Sequence, residues 1–338
     1  MKERDYLWDN IKALLIFFVV AGHVLEMNPL HTDLAMNIDS FIYSFHMPAF
    51  VFASGYFSKR ICTDGRLRAE KAITVMAYYV IFQALFMLIR LIFGIMSEGM
   101  SLFSPCTGLW YLLALFAYYL LTPIAEKLPP WFMISLSVVL ALLIGNDTAA
   151  TNYLAVMRTF TFAPFFFAGY YISGNVIKKA RALKLCARLP IGILCGAASV
   201  CSWLYTPMFP WNKLFFGKIN YQELRIDMWL GALMRLWVYA IAALMIICLI
   251  MIMPSKKSIV SKVGQNSLQV YIFHMLLVIL LFVSGWANID ITDDFIFLLS
   301  MLGAAAVTAV LSLWFFGYPF KWIQTGVNKL CSLRKSNN

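Results

Sequence analysis

Charge is scarce in this chain. Asp, Glu, Lys and Arg make up only 13% of its 338 residues, and the acids are the rarer half, 16 against 27 bases. Soluble domains carry about 25% charged and about 45–50% apolar residues, whereas here 62% are hydrophobic. That shortage excludes an ordinary water-soluble domain and leaves an integral membrane protein. The net charge of +11 does not indicate nucleic acid, because the bases cluster between apolar runs, where they orient a chain in a bilayer. Cys-x-x-Cys pairs are missing as well. The seven cysteines, Cys62, Cys106, Cys186, Cys195, Cys201, Cys248 and Cys331, read as small apolar fillers, with neither a disulfide framework nor a zinc site. No metal-ligand spacing, Gly-rich phosphate loop, Gly-x-Ser-x-Gly elbow or internal repeat occurs, so each of those chemistries loses its usual support.

What is present is a series of long apolar runs. A spanning helix needs about 20 mostly apolar residues, and ten candidates lie at approximately 10–27, 40–57, 72–96, 107–124, 131–146, 154–173, 189–206, 229–252, 266–285 and 294–318. The first has no small-residue cleavage site after it and is expected to be a retained helix. With the N-terminus inside, about 21 of the 27 Lys and Arg residues fall in cytosolic segments and about three outside. The expected architecture is therefore an all-α polytopic bundle of about ten transmembrane helices with both termini cytosolic. It forms one integral-membrane domain over 1–338 with no appended soluble domain. The segment 206–227 is the longest outside loop, and its aromatics suit a cap over an outer opening.

Against this apolar background a few polar residues stand out. A charge at the middle of a membrane helix costs roughly 2.5–3.5 kcal/mol on insertion scales, so such residues usually face a cavity. They are Lys12, His23, His46, Arg90, Arg158, Arg235 and His274, while His31 lies in a loop. Lys12 and His23 are eleven residues apart, about 20° from a whole number of turns and roughly 16 Å along the axis. Asp9 falls within about 40° of the same line. One stripe of the first helix thus carries a cation at the cytosolic mouth and an imidazole deep toward the other side. Counted at 1.5 Å per residue, His46, Arg90, Arg158, Arg235 and Trp110 converge on the same outer half. Arg90 and Arg158 also read as side chains snorkelling to headgroups, His274 as a bridge between helices, and Lys12 as an interfacial anchor.

Histidine titrates near neutrality and can take a proton from a hydroxyl. Attack of that hydroxyl on an acyl thioester passes through an oxyanion that needs donors or positive charge. Basic loops at 58–71 and 178–188 suit the polyanionic end of coenzyme A. Physical chemistry alone makes transacylation one option here.

The runs RDYLWDNIKALLIFFVVAGHVLE, SFHMPAFVFASGYFSKR, GLWYLLALF, RTFTFAPFFFAGYYI and GQNSLQVYIFHMLL resemble, in order, the signatures of the membrane acyltransferase-3 family. The resemblance is closest to the fucose 4-O-acetylase-like branch. It implies a ten-helix enzyme moving acetyl from acetyl-CoA to an extracytoplasmic polysaccharide. The family's basic residue and essential histidine on the first helix fall on Lys12 and His23. Lysine at the first position keeps the charge and loses the bidentate fork. The family's CoA-binding basic stretch falls on Arg66, Arg68 and Lys71. The Arg-Leu-Leu-x-Pro-Tyr run that normally follows is replaced by TVMAYY, with Ala77 where proline is expected.

The expectation is a multi-pass O-acetyltransferase of the cell membrane, a bacterial cytoplasmic membrane by this reading. The catalytic set is His23 as general base, Lys12 and His46. The CoA set is Lys12, Arg66, Arg68 and Lys71, and the acceptor set is Trp110, Arg158, Arg235, Tyr271 and His274. Acetyl-CoA is the donor cosubstrate, an extracytoplasmic glycan the acceptor and the bilayer the surrounding partner, with no metal and no nucleic acid. The rival is a transporter or flippase for a polar or lipid-linked glycan, which buried charges also fit. The chain lacks the repeated halves and matched broken helices common among transporters.

Overall fold

The computed structural model describes residues 6–96, 100–149, 153–204, 211–285 and 291–336. Helices dominate: α1 Leu7–Glu26, α2 Asp33–Phe57, α3 Ala69–Ile92, α4 Trp110–Ala125, α5 Pro130–Leu143, α6 Val156–Tyr171, α7 Gly174–Arg181 and α8 Leu185–Leu204. They continue as α9 Trp211–Phe215, α10 Met228–Ile252, α11 Ser261–Gln265, α12 Ser267–Val283, α13 Asp294–Leu311 and α14 Tyr318–Ser336. A two-residue antiparallel hairpin, β1 Cys62–Thr63 against β2 Arg66–Leu67, is the exception to an all-α chain among the described residues.

Each of the ten apolar runs carries a helix, yet they are not equal. Four are both long and apolar enough to cross a bilayer, namely α1, α3, α10 and α13, and α7 with α8 makes a fifth if that pair, bent by 112°, is one span. Helices α4, α5 and α12 are apolar but shorter. The last run is also shorter than expected. It stops at Leu311, and after a 3-10 turn at Trp314–Gly317 the chain continues as α14. This tail helix is amphipathic, with Tyr318 and Trp322 exposed beside Lys321, the pattern of a helix lying along a membrane surface.

Three packing devices place the helices that matter. At the crossing of α2 and α6, a Cβ on Gly55 would sit 2.0 Å from the Phe166 carbonyl oxygen, and one on Gly169 would sit 2.0 Å from that of Phe52. Reciprocal glycines let the two backbones touch, as small residues do between membrane helices. The start of α1 is held by Asn10, whose side chain donates to the carbonyls of Pro254 and Lys256 at 2.8 and 3.0 Å. Its Oδ1 accepts from Ser258 and Ser261, both at 2.7 Å. Packed so on several sides, α1 buries most of its length. The hairpin is tied down by Glu126, whose Oε2 accepts from Gly65 N at 2.9 Å and from Cys62 Sγ at 3.2 Å. Burial, reinforced by that carboxylate, pushes the Cys62 thiol up to about 11. Cys62 is thus a weak hydrogen-bond donor rather than only the apolar filler its sequence context implied.

Candidate active site

The C-terminal turn of α1 brings titratable side chains together. His23 and Glu26 are three residues apart and share a face, and His23 Nδ1 lies 3.3 Å from Glu26 Oε2. Tyr43 of α2 donates its hydroxyl to the same oxygen at 3.1 Å, and Lys218 Nζ approaches Oε1 at 3.8 Å. A carboxylate only accepts, so the Nδ1–H of His23 points at Glu26, and in the neutral ring Nε2 is the nitrogen that bears the lone pair. A carboxylate that fixes the tautomer of a histidine leaves the opposite nitrogen ready to take a proton.

That turn lines a cavity of about 580 Å³, within the range of small-ligand sites. Helix α2 contributes His46 and Met47, and Trp110 enters at the start of α4. Arg158 comes from the first turn of α6, and Phe215, Phe216, Lys218, Ile219 and Glu223 come from the 211–227 segment. Of the 206–227 stretch expected to cap an opening, the part from 211 on contributes to this cavity wall, and 206–210 lie outside the described residues. His46 Nδ1 lies 2.7 Å from the Ile42 carbonyl, so it carries the proton and Nε2 is again an acceptor. Trp110 stacks on Phe162 at 5.2 Å between ring centroids, and the Arg158 guanidinium lies 5.0 Å over the Trp110 ring.

A second cavity of about 130 Å³ adjoins the first. It is lined by Lys12, Phe50, Ser54, Tyr111, Leu115, Ser267 and Leu268, and it shares Met47 and Tyr271 with its larger neighbour. Tyr271 is held in place by donating its hydroxyl to the Gly108 carbonyl. Lys12 is paired with Asp9 at 3.4 Å, and Asp9 also accepts from Gln265 at 3.3 Å. The stripe of α1 read from its helical period thus runs from one cavity into the other, with Lys12 and His23 at its two ends.

Other expected residues are placed elsewhere. His274 is buried behind His23, with ring centroids 5.3 Å apart, and its Nδ1 lies 2.9 Å from the Val270 carbonyl. It packs against His23 from outside the cavity lining. Arg235 is also away from the cavity. It is 2% exposed, donates to the Ala141 carbonyl at 2.6 Å and lies 5.0 Å over Tyr221. Depth along a helix placed it near the acceptor residues, and its direction around α10 turns it toward α5 instead. Arg90 likewise stays outside both linings. Arg66, Arg68 and Lys71 are exposed on the hairpin and the start of α3. Glu26, Tyr43 and Lys218 were not singled out from sequence. For Glu26 the i, i+3 spacing from His23 was the available signal. Among the described residues no group of three His, Cys, Asp or Glu side chains could hold a metal.

An acyltransferase domain family model, acyltransferase 3, matches residues 5–317. The chain belongs to the acyltransferase 3 family. Nodulation protein NolL of Sinorhizobium fredii is similar to this chain, 28% identical over 201 residues, covering 54% of this chain and 52% of the relative. The chain thus spans about half the length of the curated relative it matches. No solved structure matches this chain.

Proposed function

We propose that this acyltransferase moves an acetyl group from cytosolic acetyl-CoA to a hydroxyl of an extracytoplasmic sugar, with His23 as general base. The proposal includes ten spans with both termini cytosolic in a bacterial cytoplasmic membrane, which makes the large cavity the outer one. The observation that carries it is the junction of the two cavities at Met47 and Tyr271, with Lys12 on one side and the His23–Glu26 pair on the other. A long, thin thioester arm entering past Lys12 would bring its acyl carbon to the base. The exposed cations Arg66, Arg68 and Lys71 are free to meet the nucleotide phosphates at the cytosolic face.

The steps then follow from the tautomers. His23 Nε2 takes the proton of the sugar hydroxyl as its oxygen attacks the thioester carbonyl, and Glu26 stabilises the imidazolium that forms. The tetrahedral oxyanion collapses, the C–S bond breaks, and the departing thiolate takes the proton from the imidazolium. His46 presents an acceptor nitrogen to the cavity, which suits holding a second sugar hydroxyl rather than donating to an oxyanion. The Trp110 ring offers a flat apolar face for a sugar ring.

The test is to incubate membranes with acetyl-labelled CoA and native surface glycan, comparing wild type with His23→Ala at matched expression. A positioned base contributes about 10²–10⁴-fold, so label should reach glycan with the wild type and fall by that factor in the variant. Equal transfer by both removes His23 from the chemistry. Absence of transfer by the wild type, with glycan movement across vesicles instead, favours the transporter reading. Label arriving on lipid or protein changes the acceptor class.

A further inference from the structure

The charges facing the outer cavity are unevenly matched. Glu26 has His23, Tyr43 and Lys218, and Glu223 accepts from Asn220 Nδ2 at 2.5 Å. Arg158 has no carboxylate within ion-pair distance among the described residues, and its Nε is buried without a hydrogen-bond partner. A buried Nε left without a partner is costly, while the rest of the half-buried side chain faces the cavity. Its position makes the cost greater, because it sits in the first turn of α6, whose dipole disfavours a cation there and whose N-cap, Ala155, gives no side-chain cap. Ala155 lines the same cavity, so the uncapped helix end and the guanidinium lie together on its wall.

Resting on the acetyl-transfer reading above, we propose that Arg158 selects an acidic acceptor, a sugar that carries a carboxylate such as a hexuronate. The donor's phosphates do not serve as the counter-ion in this scheme, because they stay at the opposite end of α1 with the exposed basic hairpin. The guanidinium is a planar fork that matches a carboxylate through two parallel hydrogen bonds. Its cation–π contact with Trp110, 5.0 Å from the ring centroid, brings that fork beside the surface on which the sugar ring would rest. One guanidinium and a helix end balance a single negative charge better than a diphosphate. The acidic group is thereby held at Arg158 while a neighbouring hydroxyl faces His23.

The test uses the purified full-length protein in nanodiscs, a glucuronate-containing oligosaccharide and the same oligosaccharide after carboxyl reduction, which differs only in that charge. Binding is followed by tryptophan fluorescence and by calorimetry. The wild type should bind the acidic form at least about 10-fold more tightly, the increment of a charge-assisted pair. In Arg158→Gln the ratio between the two ligands should collapse to about one. In Arg158→Lys, which keeps charge without the fork, an intermediate ratio should remain and should shrink with added salt. Equal affinity of the wild type for both ligands, including no binding of either, overturns the proposal. So does a ratio that survives in Arg158→Gln, which would give Arg158 to the oxyanion instead. An acidic preference without acetyl transfer to either ligand would sink the transferase reading and leave the Arg158 site standing.

Discussion

Arg158 and Arg235 look alike in sequence and again at short range, yet their surroundings differ. Each guanidinium lies 5.0 Å over an aromatic ring, Trp110 for the first and Tyr221 for the second. Arg235 donates one N–H to a backbone carbonyl of α5, its Nε and second terminal nitrogen are buried without a partner among the described residues, and it borders a void of about 10 Å³, too small for more than a single water. Arg158 borders about 580 Å³, and its Nε meets no acceptor among the described residues. Both guanidinium groups keep an unpartnered nitrogen, so the space beside them makes the difference: a cation tied to a carbonyl with no room beside it holds helices together, whereas one facing a ligand-sized cavity has room for something that arrives.

If that contrast is right, changes on the cavity side cost activity and changes on the α5–α10 side cost stability. The largest effect in this group is expected at Glu26. Glu26→Gln keeps the shape but cannot stabilise the imidazolium, so kcat for transfer should fall about 10- to 100-fold, part of what a positioned base supplies. KM for the acceptor and the thermal midpoint should change little, and Glu26→Asp should recover some of the loss. Transfer within about 3-fold of wild type in Glu26→Gln would make the carboxylate a spectator.

Arg235 is the opposite case. Arg235→Ala deletes a side chain that is 2% exposed together with its tie to Ala141, so a loss of about 2–4 kcal/mol is expected. That should appear as a lower unfolding midpoint in detergent, while kcat and acceptor KM at a permissive temperature stay near wild type. An unchanged midpoint with failing transfer would move Arg235 to the reactive side and erase the contrast.

Why sequence could not separate the two arginines is a matter of geometry. Hydropathy and helical period fix where a residue lies along its own helix, so Lys12 and His23 could be placed on one stripe and His46 at a matching depth. They do not fix which neighbour a helix turns toward, and that azimuth decides whether Arg158 or Arg235 meets a cavity. The ten helix positions were legible for the same reason that α14 was not, since its alternation of aromatic and basic residues carries little net hydropathy. Glu26 was hidden by its place at the end of α1, where an acid is ordinary in a membrane protein. The reciprocal glycines at 55 and 169 show as a feature only once α2 and α6 are seen crossing.

Lys218 sharpens the boundary of the cavity side. Its ammonium is 3.8 Å from Glu26, and the side chains are 38% and 37% exposed, which is the geometry of a solvent-screened pair. Such pairs contribute about 0.2–1 kcal/mol, so Lys218→Ala should lower kcat/KM for transfer by no more than about 5-fold, less at high salt. A much larger loss that persists in salt would mean that Lys218 acts by closing the 211–227 segment over the acceptor rather than by its charge. In that case, shortening the neighbouring aromatic with Phe216→Ala should reproduce the loss, because Phe216 lines the same wall and its ring carries the Lys218 ammonium at 5.2 Å without adding a charge of its own. A small, salt-sensitive loss at Lys218 with none at Phe216 would instead confine the reactive side to α1, α2 and α6, where His23, Glu26, Tyr43 and Arg158 reside.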